Sequence, residues 1–556
     1  MSRPSDHIDS PQPLPADGIT QPRLGVVGYA RFFWRQLTNM STALFLLLLL
    51  AIVAIPGSLV PQRSSDPNGV TQYFANNPGL APVIDKFQAF DVYTSVWFSS
   101  IYLLLFISLI GCVIPRTMHH LQALRAKPPK TPARLERLAG FVTTELPAGQ
   151  TDAAAAIQAA RQVLRASGYR VQLFDGVSRA SASEMSASAE RGYLRETGNL
   201  VFHTALIGVL IAGGIGGGFG YTGQKVVVEG QPLVNVLGSY DSFNPGRFFS
   251  EAVLQPYRLV LNNFEAVYEE KNIDAYGQAI DYTAKVTTYQ PGEKGRAGVI
   301  KVNDPLSIGG TNIYLLGNGY APTITVRDGK GNVAFTDSVP FLPQDTNLTS
   351  IGVVKVPDAL PKQIGMVGFF YPTEAALPSG ALTSIHPDLR APLLTLRVYT
   401  GNLGLDDGVP KSVFALNTDG LTEVAGAGSA APALQLHPGE TAQLPGGIGS
   451  VTFENADPKA AADDPSHSVL RFASLDIHHD ASQQWVLLFV LIAVAGLLTS
   501  LFIPRRRVWV KAVETADGGI RLEYAGLARG DDPGLEAAVA GIASRHARRL
   551  GIRLAE

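Results

Sequence analysis

The sequence holds a single cysteine, Cys112, among 556 residues. That excludes an internal disulfide, a thiol pair for redox exchange and any metal site built from several cysteines. Charge is also scarce: 17% of residues are Asp, Glu, Lys or Arg, against 46% hydrophobic, and the formal net charge is -2. So little charge, with no basic excess, argues against nucleic acid as a partner and towards a membrane protein. No Gly-x-Ser-x-Gly elbow stands beside an ordered acid and base, which removes that route to nucleophilic catalysis. The carboxylate pairs Asp406-Asp407 and Asp463-Asp464 sit in Gly/Pro-rich loops without the alternating acids of a calcium loop, and read as solvated. Tryptophans are few and isolated: Trp34, Trp97, Trp485 and Trp509.

What the chain does have is apolar length. Four runs of about 20 residues, 41–60, 95–114, 199–218 and 484–503, match a ~30 Å hydrocarbon core at 1.5 Å per residue. The expected fold class is therefore a membrane protein: an α-helical four-span bundle, a large extracytoplasmic all-β, sandwich-like domain and a small cytoplasmic α/β module. Residues 1–40 read as a cytoplasmic disordered tail, polar and Pro-rich over its first 25 positions. An outer loop, 61–94, separates spans one and two, and Pro115 with Arg116 closes the second span. A cytoplasmic linker with strand, helix and strand patterns fills 115–198, and the C-terminal region 504–556 has segments that could pair with it.

Between spans three and four, 219–483 is rich in short alternating segments, such as Lys225–Glu229, Tyr257–Leu261, Thr323–Val326 and Leu394–Tyr399. Turn residues punctuate them, with Asp328-Gly329 set between Ile324/Val326 and Val333/Phe335 as a hairpin signal. Cations cluster at Arg31/Arg35, at 116–137 and at Arg505–Arg507. With four spans all three clusters fall on one side, so the positive-inside rule puts both termini in the cytoplasm and the β domain outside.

One ionisable side chain lies inside a span. His203 sits in Glu196-Thr-Gly-Asn-Leu-Val-Phe-His203-Thr-Ala-Leu-Ile-Gly, beside a small-residue stripe of Thr204, Gly208, Ala212 and Gly216. An imidazole in hydrocarbon faces a partner, a cavity or a ligand, and its neutral nitrogen can hold haem iron. The plainer alternative is a hydrogen bond to a neighbouring helix. His119 and His120, among basic residues past span two, read as contacts to lipid headgroups. His478-His479 read as interfacial, with a lesser possibility of a ligand role; His386, His437 and His467 read as loop residues. Four spans without an inverted pair of broken helices make a poor transporter alone.

The layout resembles the ResB family of System II cytochrome c biogenesis membrane proteins. The resemblance lies in Ala189-Glu-Arg-Gly-Tyr-Leu-Arg-Glu-Thr-Gly-Asn-Leu-Val-Phe-His203, in Val302-Asn-Asp-Pro-Leu306 with Gly310-Thr-Asn-Ile-Tyr314, and in Pro504-Arg-Arg-Arg-Val-Trp509 after the last span. Asp480-Ala-Ser-Gln483 departs from the Asp-Pro-Gly expected there. The resemblance implies a bacterial cell membrane location and a subunit of a cytochrome c synthase complex that does not act alone. It implies haem b as transported substrate, with His203 as one axial ligand to the iron. It further implies a polytopic partner with a tryptophan-rich loop that supplies the second histidine, and apocytochrome c as acceptor; the outer β domain is expected to meet apocytochrome c or an extracytoplasmic thiol-reducing protein. This chain has no adjacent tryptophans and so lacks such a loop. The competing reading is a membrane-anchored ligand-binding or scaffold protein without haem.

Overall fold

The computed structural model describes residues 25–177, 183–405, 415–459 and 464–552. The first 24 positions of the tail, and Asp406, Asp407 and Asp463, fall outside the described residues. Two compact units emerge: Met1–Ile211 with Trp485–Glu556, and Ala212–Gln484. Among the described residues the α-helices, in chain order, are α1 Val26–Leu37, α2 Met40–Leu59, α3 Pro67–Asn76, α4 Ala81–Lys86, α5 Val96–Arg125, α6 Ala153–Ala166, α7 Leu194–Phe219, α8 Gln483–Phe502 and α9 Leu535–Arg549. Of these, α2, α5, α7 and α8 are long and apolar enough to cross a membrane.

Two expectations need correction in the first unit. Residues 26–37, assigned to a disordered tail, form the amphipathic α1, whose Phe32, Phe33 and Trp34 stay exposed. Such a face suits a bilayer interface better than water, which is why polar composition upstream did not extend through it. Second, Pro115 does not end the second span. Helix α5 runs ten residues beyond it to Arg125. A proline removes one backbone hydrogen bond without forbidding continuation, and the far end is held because Arg170 donates to the carbonyls of Leu124 and Arg125. Near its middle α5 meets the α1–α2 turn, where Ser108 Oγ donates to Leu37 O at 2.6 Å and Cys112 Sγ to Thr38 O at 3.0 Å. The lone cysteine is therefore a packing residue.

An antiparallel five-stranded sheet completes this unit, in the order Ala139–Leu146, Ile520–Ala528, Arg506–Glu514, Ser183–Arg191, Arg170–Val177. Helix α6 buries Ala156, Ile157, Ala160, Val163 and Leu164, and α9 buries Val539, Ile542 and Ala543, against Val508, Val510, Leu522 and Tyr524. Alternation along the strand sends Trp509 to the other face, onto Leu135 and Ala525. The central pairing aligns Arg506 with Arg191, so α7 begins and α8 ends beside neighbouring strands. The two helices then cross closely. A Cβ added at Gly198 would lie 2.6 Å from the Gly496 carbonyl oxygen, and one at Gly208 would strike the Phe489 ring at 2.5 Å. Small residues permit that approach.

Among the described residues the second unit is built of β-strands and holds two large hydrophobic cores. In the first, the sheet Leu306–Ile308, Thr311–Ala321, Leu470–His479, Tyr221–Val228, Ser242–Pro245 packs on the sheet Pro232–Val234, Arg258–Tyr268, Ala279–Tyr289, Arg296–Lys301. Leu259, Leu261, Val286, Ile313 and Leu475 fill the space between. In the second, strands Val333–Ser338, Thr323–Asp328, Gly449–Phe453 and Thr441–Leu444 face a sheet centred on Gln363–Tyr371 and Leu393–Gly401, around Tyr320, Phe341, Phe370 and Phe453. The Asp328 hairpin pairs Val326 with Phe335. Its carboxylate accepts the amides of Lys330 and Asn332, each at 2.9 Å. The sequence reading of one sandwich-like domain becomes two sandwiches, joined by the chain passing from one sheet to the other at Pro322.

Candidate functional site

His203 lies about two and a half turns into α7 and is half-buried. Its Nδ1 is 2.8 Å from the carbonyl oxygen of Asn199. A carbonyl only accepts, so Nδ1 carries the proton and the Nε2 lone pair remains available. Phe202 meets the ring edge-on at 5.0 Å. This is the tautomer and orientation a single axial iron ligand requires. Among the described residues no group of three or more His, Cys, Asp or Glu could hold a metal ion. An iron at His203 would thus have to bring most of its ligands with it, as a porphyrin does.

Seven residues make nearly two turns, so Glu196, His203 and Leu210 follow one another at steps of about 20° along one helical stripe. Helix α5 reaches both ends of that stripe. Tyr102 Oη donates to Leu210 O at 2.6 Å, while His120 places Nδ1 3.3 Å from Glu196 Oε2 and Nε2 2.9 Å from Thr197 Oγ1. His203 falls between these two bridges. His120 is 7% exposed, so the expected headgroup contact is wrong for it: the continued α5 turns it inward onto α7. Nothing in the sequence marked it, because its partners lie 76 and 77 positions away and the helix was expected to stop before it.

Glu196 gathers cations. One oxygen meets Arg529 and the other meets Arg505 and His120. Arg505 also stacks over Tyr193 at 4.7 Å, and the Tyr193 hydroxyl donates to Glu190. Burial, then the neighbouring Glu190, pushes that phenol up to about 12. Glu196 lines a cleft of about 600 Å³ whose walls include Arg116, His119, His120, Arg195, Arg505 and Arg529. Asn199 and Leu200 carry the wall up α7 towards His203.

The second unit carries further histidines, each with its own partners. His478 and His479 are consecutive on a strand and so face opposite ways. His478 Nε2 bonds Asp476 Oδ2 at 2.7 Å, and that bond raises its pKa. His479 Nδ1 donates to Gly310 O at 2.9 Å and stacks on Tyr221 at 5.3 Å. His386 lies in a loop, as expected, but is buried at 2% exposure, and burial lowers its pKa. His437 bonds the Pro392 carbonyl and His467 bonds Ser466. The departure at Asp480-Ala-Ser-Gln483 is resolved locally: Asp480 accepts from Ser482 N at 2.8 Å and Ser482 Oγ at 2.6 Å, so α8 starts at Gln483 without a proline.

Comparison with known proteins adds the following. The model of the ResB-like family matches residues 40–540. The chain is 26% identical over 299 residues to the cytochrome c biogenesis protein CcsB of Synechococcus sp. (strain WH7803), covering 53% of this chain and 62% of that one. It is 26% identical over 321 residues to the protein of the same name from Thermosynechococcus vestitus, covering 56% and 64%. Over a shorter stretch of 186 residues it is 31% identical to that of Synechococcus sp. (strain CC9902), covering 33% and 40%. The matched stretch is thus less than two thirds of each of these relatives. The family match covers the spans, the β unit and all of the five-stranded sheet, and on that ground the chain belongs to the ResB-like family.

Proposed function

We propose that this chain works in cytochrome c biogenesis as one subunit of a System II haem-attachment complex. Its part is to help carry haem across the membrane and present it for attachment to apocytochrome c. The carrying observation is the His203 Nδ1 bond to Asn199 O, which leaves Nε2 free to hold iron from within a span. The family and the names of its relatives point the same way. Haem b is the cargo; it supplies an iron with two open axial positions, of which His203 takes one. A histidine of a polytopic partner takes the other, since no second histidine of this chain lies within the apolar runs 41–60, 95–114, 199–218 and 484–503. The isolated tryptophans assign the haem-presenting loop to that partner, so this chain does not complete ligation alone.

The cation clusters orient the bundle with both termini and the five-stranded sheet in the cytoplasm of a bacterial cell and the β unit outside. There the two sandwiches shield the attachment site and meet apocytochrome c or a thiol-reducing protein. His203 then lies near the cytoplasmic face, where haem is presented. The test is an absorption spectrum of the purified complex, wild type against His203→Ala, with both subunits shown present. Loss of the Soret band supports the reading; an unchanged band makes His203 a packing residue and favours an anchored binding or scaffold protein.

A further inference from the structure

We propose that the cationic cleft at the start of α7 is a carboxylate subsite that takes the two propionates of the porphyrin carried at His203. This rests on the haem reading above and extends it to residues that neither the family match nor the histidine identifies. The argument begins with charge. Four guanidiniums, Arg116, Arg195, Arg505 and Arg529, line the cleft against one carboxylate, Glu196. Arg505 and Arg529 are already engaged with that carboxylate. Arg116 instead donates to the sulfur of Met40 at 3.4 Å, and Arg195 donates to the backbone carbonyl of Arg529. Among the described residues neither forms an ion pair. Two guanidiniums without counter-charge thus face one cleft, and their planar forks match carboxylates two hydrogen bonds at a time.

Geometry selects the ligand. Glu196 lies on the stripe that carries His203, and seven residues at 1.5 Å each separate them by about 10 Å along the axis. A porphyrin ligated at its centre extends its propionates from one edge, so iron in the span and carboxylates at the helix start are compatible demands. Asn199 and Leu200 line the path between. The volume of about 600 Å³ lies within the range of small-molecule sites. Glu196 holds Arg505, Arg529 and His120 as a fixed rim, which leaves the other two arginines as the variable contacts.

The experiment uses the full chain in phosphatidylcholine nanodiscs and two fluorescent probes, metal-free protoporphyrin and its dimethyl ester. Because neither contains iron, binding reports the carboxylates and not axial ligation. The diacid should bind at least about tenfold more tightly than the diester, and Arg116→Gln with Arg195→Gln should bring the ratio near one. His203→Ala should leave the ratio in place. Equal binding of the two probes by the wild type, or a ratio untouched by the double variant, overturns the proposal. So does enrichment of added phosphatidylglycerol around the wild type but not the double variant, if the diester still binds as well as the diacid; that pattern assigns the cleft to a lipid headgroup. With iron protoporphyrin, an unchanged spectrum in His203→Ala alongside a persistent diacid preference sinks the axial-ligand reading while the carboxylate subsite stands.

Discussion

Glu196 and His120 meet at 3.3 Å across two helices, 76 positions apart in sequence, with His203 two turns further along the same stripe of α7. The contact joins the candidate ligand's helix to the end of α5 that extends past Pro115.

Glu196→Gln would strip charge from a carboxylate that serves Arg505, Arg529 and His120 together. Buried pairs cost about 3–5 kcal/mol to break, but this carboxylate is one-fifth exposed and Arg529 is mostly in solvent, so the expected loss is about 1–2 kcal/mol. Thermal unfolding of the purified chain should show a lower midpoint, while Arg529→Gln should change it little. Equal midpoints for wild type and Glu196→Gln would refute the network's role.

Axial ligation makes a chemical prediction beyond loss of colour. Added imidazole should restore the Soret band to His203→Ala complexes, because it replaces the missing nitrogen without repairing anything else. A variant that stays colourless in imidazole has lost its haem for a structural reason.

At the α7–α8 crossing, Gly208→Leu should drive its side chain into Phe489 and destabilise the bundle by about 1–3 kcal/mol. Phe489→Ala should recover part of that in the double variant. If the two changes simply add, the helices do not touch there as described.

Two histidines should give opposite pH responses. His478 has its pKa raised above the ordinary 6.5 by Asp476, so its stabilisation is complete below about 6.5 and fades as pH climbs through the raised value. His546 accepts from the Tyr524 hydroxyl and donates to Ala156 O, at 2.8 and 2.9 Å, and burial lowers its pKa. Its contribution is intact above 6.5 and fades as pH falls through the lowered value. Hydrogen exchange on the full chain should therefore rise at 470–479 on going to higher pH, and at 520–528 on going to lower pH. His478→Gln and His546→Gln should each flatten their own region only.

The sequence announced the spans because lipid demands uninterrupted apolar length, and the hairpin at Asp328 because its turn chemistry is local. His203 was legible because a lone imidazole in such a run is conspicuous. His120, Arg195 and Arg529 were not, since their significance arises only when segments from 76 to 334 positions apart converge. The strand Ser183–Arg191 was hidden too: its alternating Ala and Ser carry no hydrophobic pattern, and it is a strand because Arg506–Glu514 pairs with it. Two sandwiches rather than one follow from which sheet faces which, and strand periodicity says nothing about that.

That late pairing sets a timetable for synthesis. Glu190, just before α7, is gripped by Arg507, which lies 317 positions later. The ribosome therefore completes span three, and builds the whole β unit, before the strand that fixes α7 against α8 exists. A sheet register wrong by two residues would slide one helix past the other by nearly 7 Å, more than a helical turn. Until that strand emerges, the helix that bears His203 is gauged against α8 only by the close approaches at Gly198–Gly496 and Gly208–Phe489, and a nascent chain stalled after the fourth span would lack the sheet's check on the height of its histidine.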